Sequence, residues 1–318
     1  MLTGDHDAVL LDLDGVVYAG DDAVAGAPEA LARLREEGTP VRFITNNASR
    51  TPQQVADKLL SVGVPTEAEE VFGSARAAAE LLLERLGLAA GSLVGVVGGA
   101  GLLRAVEEVG LSAVPVLDVE HRPDALVQGF SPDLGWVHLA AATSWVRQGV
   151  TWVASNLDLT IPTARGISPG NGLLVHVVAE AAGRRPDFVA GKPEPFLFHS
   201  AARSASSSSP LVVGDRLDTD IAGGRAAGFA TALVLTGVHG LDDALAAVPG
   251  LRPDRVLFSL ADLWPSPTRA RAQELTDGLH EAWRALDALP GPGADAGASA
   301  DRDALRQQWS TRLSPARP

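Results

Sequence analysis

The chain contains no cysteine, which excludes disulfides, thiolate metal sites and a cysteine nucleophile. Lysine is almost missing too: Lys58 and Lys192 are the only two among 26 basic residues, the rest being arginine. Arginine therefore supplies the surface charge, and a lysine inside a motif is informative. No apolar run approaches the ~20 residues needed to cross a membrane, and the longest, around Leu93–Leu103, is broken by glycines. No basic-then-apolar segment precedes a small-residue cleavage site, so the expectation is a cytoplasmic protein with no membrane association. Basic residues are outnumbered by 39 acidic ones, leaving a net charge of −13. That balance argues against nucleic acid or an anionic lipid surface as the main partner.

With 318 residues, 46% of them apolar and 20% charged, the chain can bury a substantial core and suggests two domains or one with a large insertion. Short Val- and Leu-rich runs at Ala8–Leu13, Pro40–Thr45, Leu126–Gly129, Trp152–Ser155, Pro210–Gly214, Thr231–Thr236 and Val256–Ser259 read as strands. Helix-period segments alternate with them: Ala27–Glu37, Pro52–Ser61, Ala75–Leu86, Leu134–Gln148, Leu173–Ala182 and Pro195–Arg203. Such alternation predicts an α/β fold, a doubly wound parallel sheet with crossover helices. The tail differs: Thr268–Leu289 reads as one amphipathic helix, Pro290–Ala300 as a linker and Asp301–Leu313 as a short closing helix. From Ser266 onward seven arginines balance seven acids, so the excess negative charge belongs to the first 265 residues.

Four segments carry chemistry, three of them at the ends of predicted strands. The first run discharges into Asp12-Leu13-Asp14-Gly15, and the carboxyl ends of parallel strands are where an open sheet forms its binding crevice. The second ends in Thr45-Asn46-Asn47, whose hydroxyl, amides and backbone N–H groups can cradle a phosphate without adding charge; the same residues also commonly start turns. Lys192, in Gly191-Lys192-Pro193, offers a compact ammonium able to neutralise a carboxylate and a phosphoryl oxygen. The fourth segment, Gly214-Asp215-Arg216-Leu217-Asp218-Thr219-Asp220, again places acids after an apolar strand, where they can ligate Mg²⁺ or, in the case of Asp218 and Asp220, cap a helix.

In that order the four segments resemble the haloacid dehalogenase superfamily of phosphatases, over Ala8 to about Leu263. The resemblance implies that Asp12 is the nucleophile, forming an aspartyl phosphate, and that Asp14 is the general acid and base. It implies that Mg²⁺ is held by Asp12, the backbone carbonyl of Asp14, Asp215 and, through water, Asp220. Thr45 and Lys192 would serve catalysis, while Gly15, Asn46 and Asn47 would bind the transferring group. Phosphoryl transfer needs alignment and charge neutralisation above all, because a carboxylate otherwise repels the phosphate it attacks.

Thr45 and Lys192 lie 147 residues apart, too far for one crossover. An inserted domain fits, and the resemblance sharpens to the p-nitrophenylphosphatase-like subgroup with a large α/β cap. The expected division is a catalytic core of residues 1–79 and 187–265, a cap of 80–186 and a C-terminal extension of 266–318. Within the cap, Asn156, Asp158, Gly170, Asn171 and Gly172 would face the substrate, whereas His176 reads as a packed helix residue. A homodimer through the cap is compatible with the same subgroup. The substrate expected is a small phosphorylated metabolite, first glycerol 3-phosphate and alternatively phosphoglycolate, which the Asp158 carboxylate would repel. A phosphomutase, a receiver module and a silent phosphate-binding protein are the competing classes; the length of the gap and the complete set of acids speak against the last two.

Overall fold

The computed structural model describes residues 5–163, 166–289 and 296–313. The chain divides into two compact units, one of Met1–Val41, Val62–Val64 and Ala205–Pro318, the other of Arg42–Ser61 and Pro65–Ser204. Strand Val41–Thr45 and helix Pro195–Ser204, which the sequence groups with residues 1–79 and 187–265, cluster almost wholly with the second unit.

In the first unit four parallel strands lie in the order Arg255–Leu257, Ala230–Val234, Pro210–Gly214, Ala8–Leu11. Residues 8–11 and 211–213 have no exposed surface, as expected of apolar runs covered on both faces. Leu11 pairs with Val213, so the residues that follow each strand, Asp12 and Asp215, leave neighbouring strands at the same edge of the sheet. At the opposite edge Asp7 ties the two strands together. Its carboxylate accepts the N–H groups of Ser208 and Ser209 at 2.9 and 3.0 Å and the Ser207 hydroxyl. Those donors, Ser207 foremost, hold the Asp7 carboxyl down at about 2.

The tail forms the expected helices, at Pro267–Asp287 and, starting earlier than expected, Ala296–Leu313; residues 290–295 of the expected linker lie outside the described residues. Leu275, Leu279, Ala282, Trp283, Leu286 and Trp309 pack against Leu217, Ile221, Leu233, Leu245 and Val256. Trp283 also donates its indole N–H to the Ala244 carbonyl at 3.0 Å. The extension is thus part of the first unit's core.

The second unit holds the parallel pair Val41–Thr45 and Val71–Gly73. Beside it stands a five-stranded parallel sheet in the order Phe188–Val189, Thr151–Ala154, Ala125–Gln128, Leu93–Val97, Ser112–Pro115. Helices Trp136–Arg147 and Asn171–Ala182 cover it through Ala142, Val146, Val175 and Val178, which pack on Leu126, Trp152 and Ala154. Three strands of this sheet, helix Ala100–Glu108 and the hairpin Thr160–Thr163 with Gly166–Pro169 are absent from the sequence reading. Their runs are short or carry glycine and proline, which mask periodicity. Among the described residues no helix is long and apolar enough to cross a membrane.

Two outcomes follow. Asp7→Asn should remove stability that is present above about pH 4, the ordinary carboxyl range, and that in the native protein is lost only as pH falls toward about 2. Acid titrations of both proteins should therefore differ at pH 5 and converge near pH 2. Trp309→Ala should lower unfolding stability by about 3 kcal/mol, the usual cost of truncating a buried tryptophan, visible as a lower urea midpoint at unchanged m-value.

Candidate active site

In the first unit the backbone itself presents the acids. The Asp12 N–H donates to the Val213 carbonyl at 2.9 Å, extending the ladder one residue past the strand. The chain then turns sharply: the Leu13 carbonyl accepts the N–H groups of Val16, Val17 and Tyr18, and the buried side chains of Leu13, Val16 and Val17 anchor the turn. Asp14 is thereby left exposed at the turn, while the Gly15 N–H is taken by the Tyr18 carbonyl at 2.8 Å.

The second acidic segment is a π-type turn, Leu217–Ile221, opening helix Ala222–Ala226. It folds Asp220 back onto its own strand end, where the Arg216 N–H donates to Asp220 Oδ2 at 3.1 Å. Only glycine fits at position 214, since a Cβ there would lie 2.2 Å from that of Asp220. As a result Asp12, Asp215 and Asp220, all buried, each bring a carboxylate oxygen within 4.8 Å of the others. Three carboxylate oxygens with no nitrogen or sulfur donor form a set suited to a hard divalent cation. Asp220, expected to act through water, has an oxygen within 4.8 Å of those of Asp12 and Asp215. Asp218 stays out of it. Burial raises its pKa, but the Arg216 guanidinium, bonded at 2.7 and 3.1 Å, outweighs that and lowers it.

In the second unit the polar residues singled out in the sequence join one network centred on Asn46. The Asn46 side chain accepts the Lys192 N–H at 2.8 Å and donates to the Lys192 carbonyl and to Asp158 Oδ1, each at 3.0 Å. Its backbone carbonyl receives the Ser74 hydroxyl and the Asn156 amide, both at 2.7 Å. Asn156 Oδ1 accepts the Asp158 N–H, and the buried Asn171 donates to the Asn156 carbonyl at 2.8 Å. Lys192, 4% exposed, precedes a cis proline at the head of helix Pro195–Ser204.

Several residues expected to bind substrate are thus engaged in holding structure. Asn46, Asn156 and Asn171 spend their amides on the network, and Asn47 Oδ1 caps its own turn by accepting from Ser49 and Arg50. Gly170 and Gly172 give their N–H groups to the carbonyls of Leu159 and Asp158. Thr45 is buried, its hydroxyl accepting the Asn47 N–H at 3.1 Å. His176, expected to be packed, has a side chain 65% exposed and pairs loosely with Glu180. Ser74, a hub of the network, escaped the sequence reading; a lone serine opening a helix carries no signal of a partner 28 residues away.

A profile of haloacid dehalogenase-like hydrolases matches residues 9–112, and a HAD-hydrolase-like profile matches residues 189–263. Over 259 residues, 81% of this chain and 71% of the relative, the sequence is 44% identical to the D-glycerol 3-phosphate phosphatase of Mycobacterium tuberculosis. It is 38% identical over 240 residues to an acid sugar phosphatase of Staphylococcus aureus, covering 75% of this chain and 90% of that one. A crystal structure of glycerol phosphate phosphatase from Mycobacterium tuberculosis in complex with magnesium aligns with a TM-score of 0.81 at 36% identity, covering 98% of both chains. A parallel sheet that ends in these acids, together with likeness of this extent, means that the chain belongs to the haloacid dehalogenase-like hydrolases.

Proposed function

We infer that the protein is a Mg²⁺-dependent phosphatase that hydrolyses a small phosphate monoester, glycerol 3-phosphate first, through an aspartyl phosphate on Asp12. The observation that carries this reading is the buried cluster of Asp12, Asp215 and Asp220. The relatives named as glycerol phosphate and acid sugar phosphatases support the substrate class, and the magnesium complex of one supports the ion.

Asp12, Asp215 and Asp220 would hold Mg²⁺, which when bound offsets the charge of the acids and of the phosphoryl oxygens. An Asp12 carboxylate oxygen attacks phosphorus, and the bond from phosphorus to the ester oxygen breaks. Asp14, exposed at the turn two residues after Asp12, would give its proton to the departing alkoxide. In the second half Asp14 takes a proton from water, whose oxygen attacks phosphorus and returns Asp12 as a carboxylate. Thr45 and Lys192 would neutralise and orient the phosphoryl group, and Asn46 would act on it only through Lys192, whose backbone it clasps. Residues 80–186 would form the cap over the leaving group. Exposed Ile167 and Val177 there favour a homodimer through the same segment.

The decisive measurement is phosphate release from p-nitrophenyl phosphate with and without Mg²⁺; activity indifferent to the ion would defeat the reading. Asp12→Asn should cut kcat more than about a thousandfold. Asp14→Asn should cost about 10²–10⁴-fold on glycerol 3-phosphate and clearly less on p-nitrophenyl phosphate, whose leaving group needs no proton. Equal losses on both would remove Asp14 as the acid.

A second outcome concerns Asp158, whose carboxylate Asn46 fixes in place. Repulsion of about 1 kcal/mol from a second anionic group should favour glycerol 3-phosphate over phosphoglycolate about fivefold in kcat/KM. Asp158→Asn should narrow that ratio, and a native preference for phosphoglycolate would refute the substrate assignment.

A further inference from the structure

The segment Thr236-Gly237-Val238-His239 follows strand Ala230–Val234 and carries no motif residue, yet it is hydrogen-bonded to the acidic site of the same unit. The Thr236 hydroxyl donates to the Gly15 carbonyl at 2.6 Å. The Val238 N–H donates to Asp215 Oδ2 at 2.7 Å, and the His239 N–H to the Asp215 carbonyl at 3.1 Å. The Leu217 N–H, at the start of the turn that bears Asp220, donates to His239 Nδ1 at 2.9 Å. The strap lies so close that a Cβ at Gly237 would stand 2.0 Å from Asp215 Oδ2.

His239 is the residue that couples the two acids. Its backbone binds the carbonyl of Asp215 and its ring binds the N–H two residues further on, so one residue sets the spacing between Asp215 and the turn of Asp220. Nδ1 accepts here, which places the ring proton on Nε2. The strap is itself anchored, because helix Leu241–Ala246 follows at once and is gripped by the tail. Trp283 donates to the Ala244 carbonyl at 3.0 Å and Ser310 to Asp242 at 2.6 Å.

We propose that His239 is a positioning residue of the cation site, its Nδ1 clamping the Leu217 N–H so that Asp215 and Asp220 present their carboxylates at the spacing a divalent cation requires. The proposal rests on the reading of this site as one that holds Mg²⁺. Groups that orient metal ligands from behind typically account for about 10–100-fold in affinity, and a hydrogen bond aimed at a backbone N–H can do so without touching the ion.

The test is calorimetric titration of the full chain with Mg²⁺, comparing the native protein with His239→Ala, His239→Leu and His239→Asn. Asparagine can set its Oδ1 near the place of Nδ1, leucine fills the ring's space without an acceptor, and together they keep the test valid if alanine folds poorly. Leucine and alanine should weaken Mg²⁺ binding about tenfold or more and speed hydrogen exchange at the Leu217 amide, while asparagine restores most of both. Native-like affinity in His239→Leu, or an asparagine variant no better than leucine, would overturn the proposal and leave the phosphatase reading intact. A native protein that neither binds Mg²⁺ nor releases phosphate would overturn both.

Discussion

Three carboxylates forced together out of water set the terms for the first unit. With oxygens within 4.8 Å of one another, each pair of full charges would repel by at least about 3.5 kcal/mol at an effective dielectric constant of ~20. Three such pairs approach the whole net stability of a domain, about 5–15 kcal/mol. Such a cluster needs a fold built to hold it, and a bound cation relieves its repulsion. Parallel pairing puts Asp12 and Asp215 at one edge, the π-type turn returns Asp220 to the strand it came from, and backbone N–H groups of Arg216 and Val238 offset part of the charge. A core of Leu217, Ile221, Trp283 and Trp309 braces that turn from behind.

The second unit solves a different problem, holding a buried lysine and a run of amides by hydrogen bonds among themselves, although the Asn171 Oδ1 stays without a partner. Asn46 is the joint: its side chain reads both the N–H and the carbonyl of Lys192, and its carbonyl takes up Ser74 and Asn156. Each bond contributes little by itself, about 1 kcal/mol. Their value lies in fixing where Lys192 and Asp158 stand, since every member of such a network constrains the others.

Much of this was legible in the residues. Apolar runs that terminate in acids or threonine marked strand ends, and helices Pro52–Ser61 and Pro195–Ser204 lie where periodicity put them to within a residue. Leu93–Val97 was visible as an apolar run but not as a strand, because Gly95 and the glycines after it interrupt the pattern. Ser112–Pro115, an edge strand half open to solvent, lacks the hydrophobic weight to stand out. Asn46, Asn47 and Asn171 were expected to bind substrate, and in the structure their side chains bond to protein groups; short polar side chains serve ligands and backbone equally well.

By itself the sequence determined the chemistry on offer: which acids stand at the ends of which strands, which lysine sits in a motif, the α/β class, and the family to which those motifs belong. These are local properties, written in residue type, spacing and periodicity. Tertiary structure alone decided that the amides of Asn46, Asn156 and Asn171 are spent on each other and on Lys192, and that the unremarkable Thr236–His239 segment straps the acids. Those facts depend on contacts between residues tens to hundreds of positions apart, and hydrogen-bond partners at such separations leave no periodic trace in the chain.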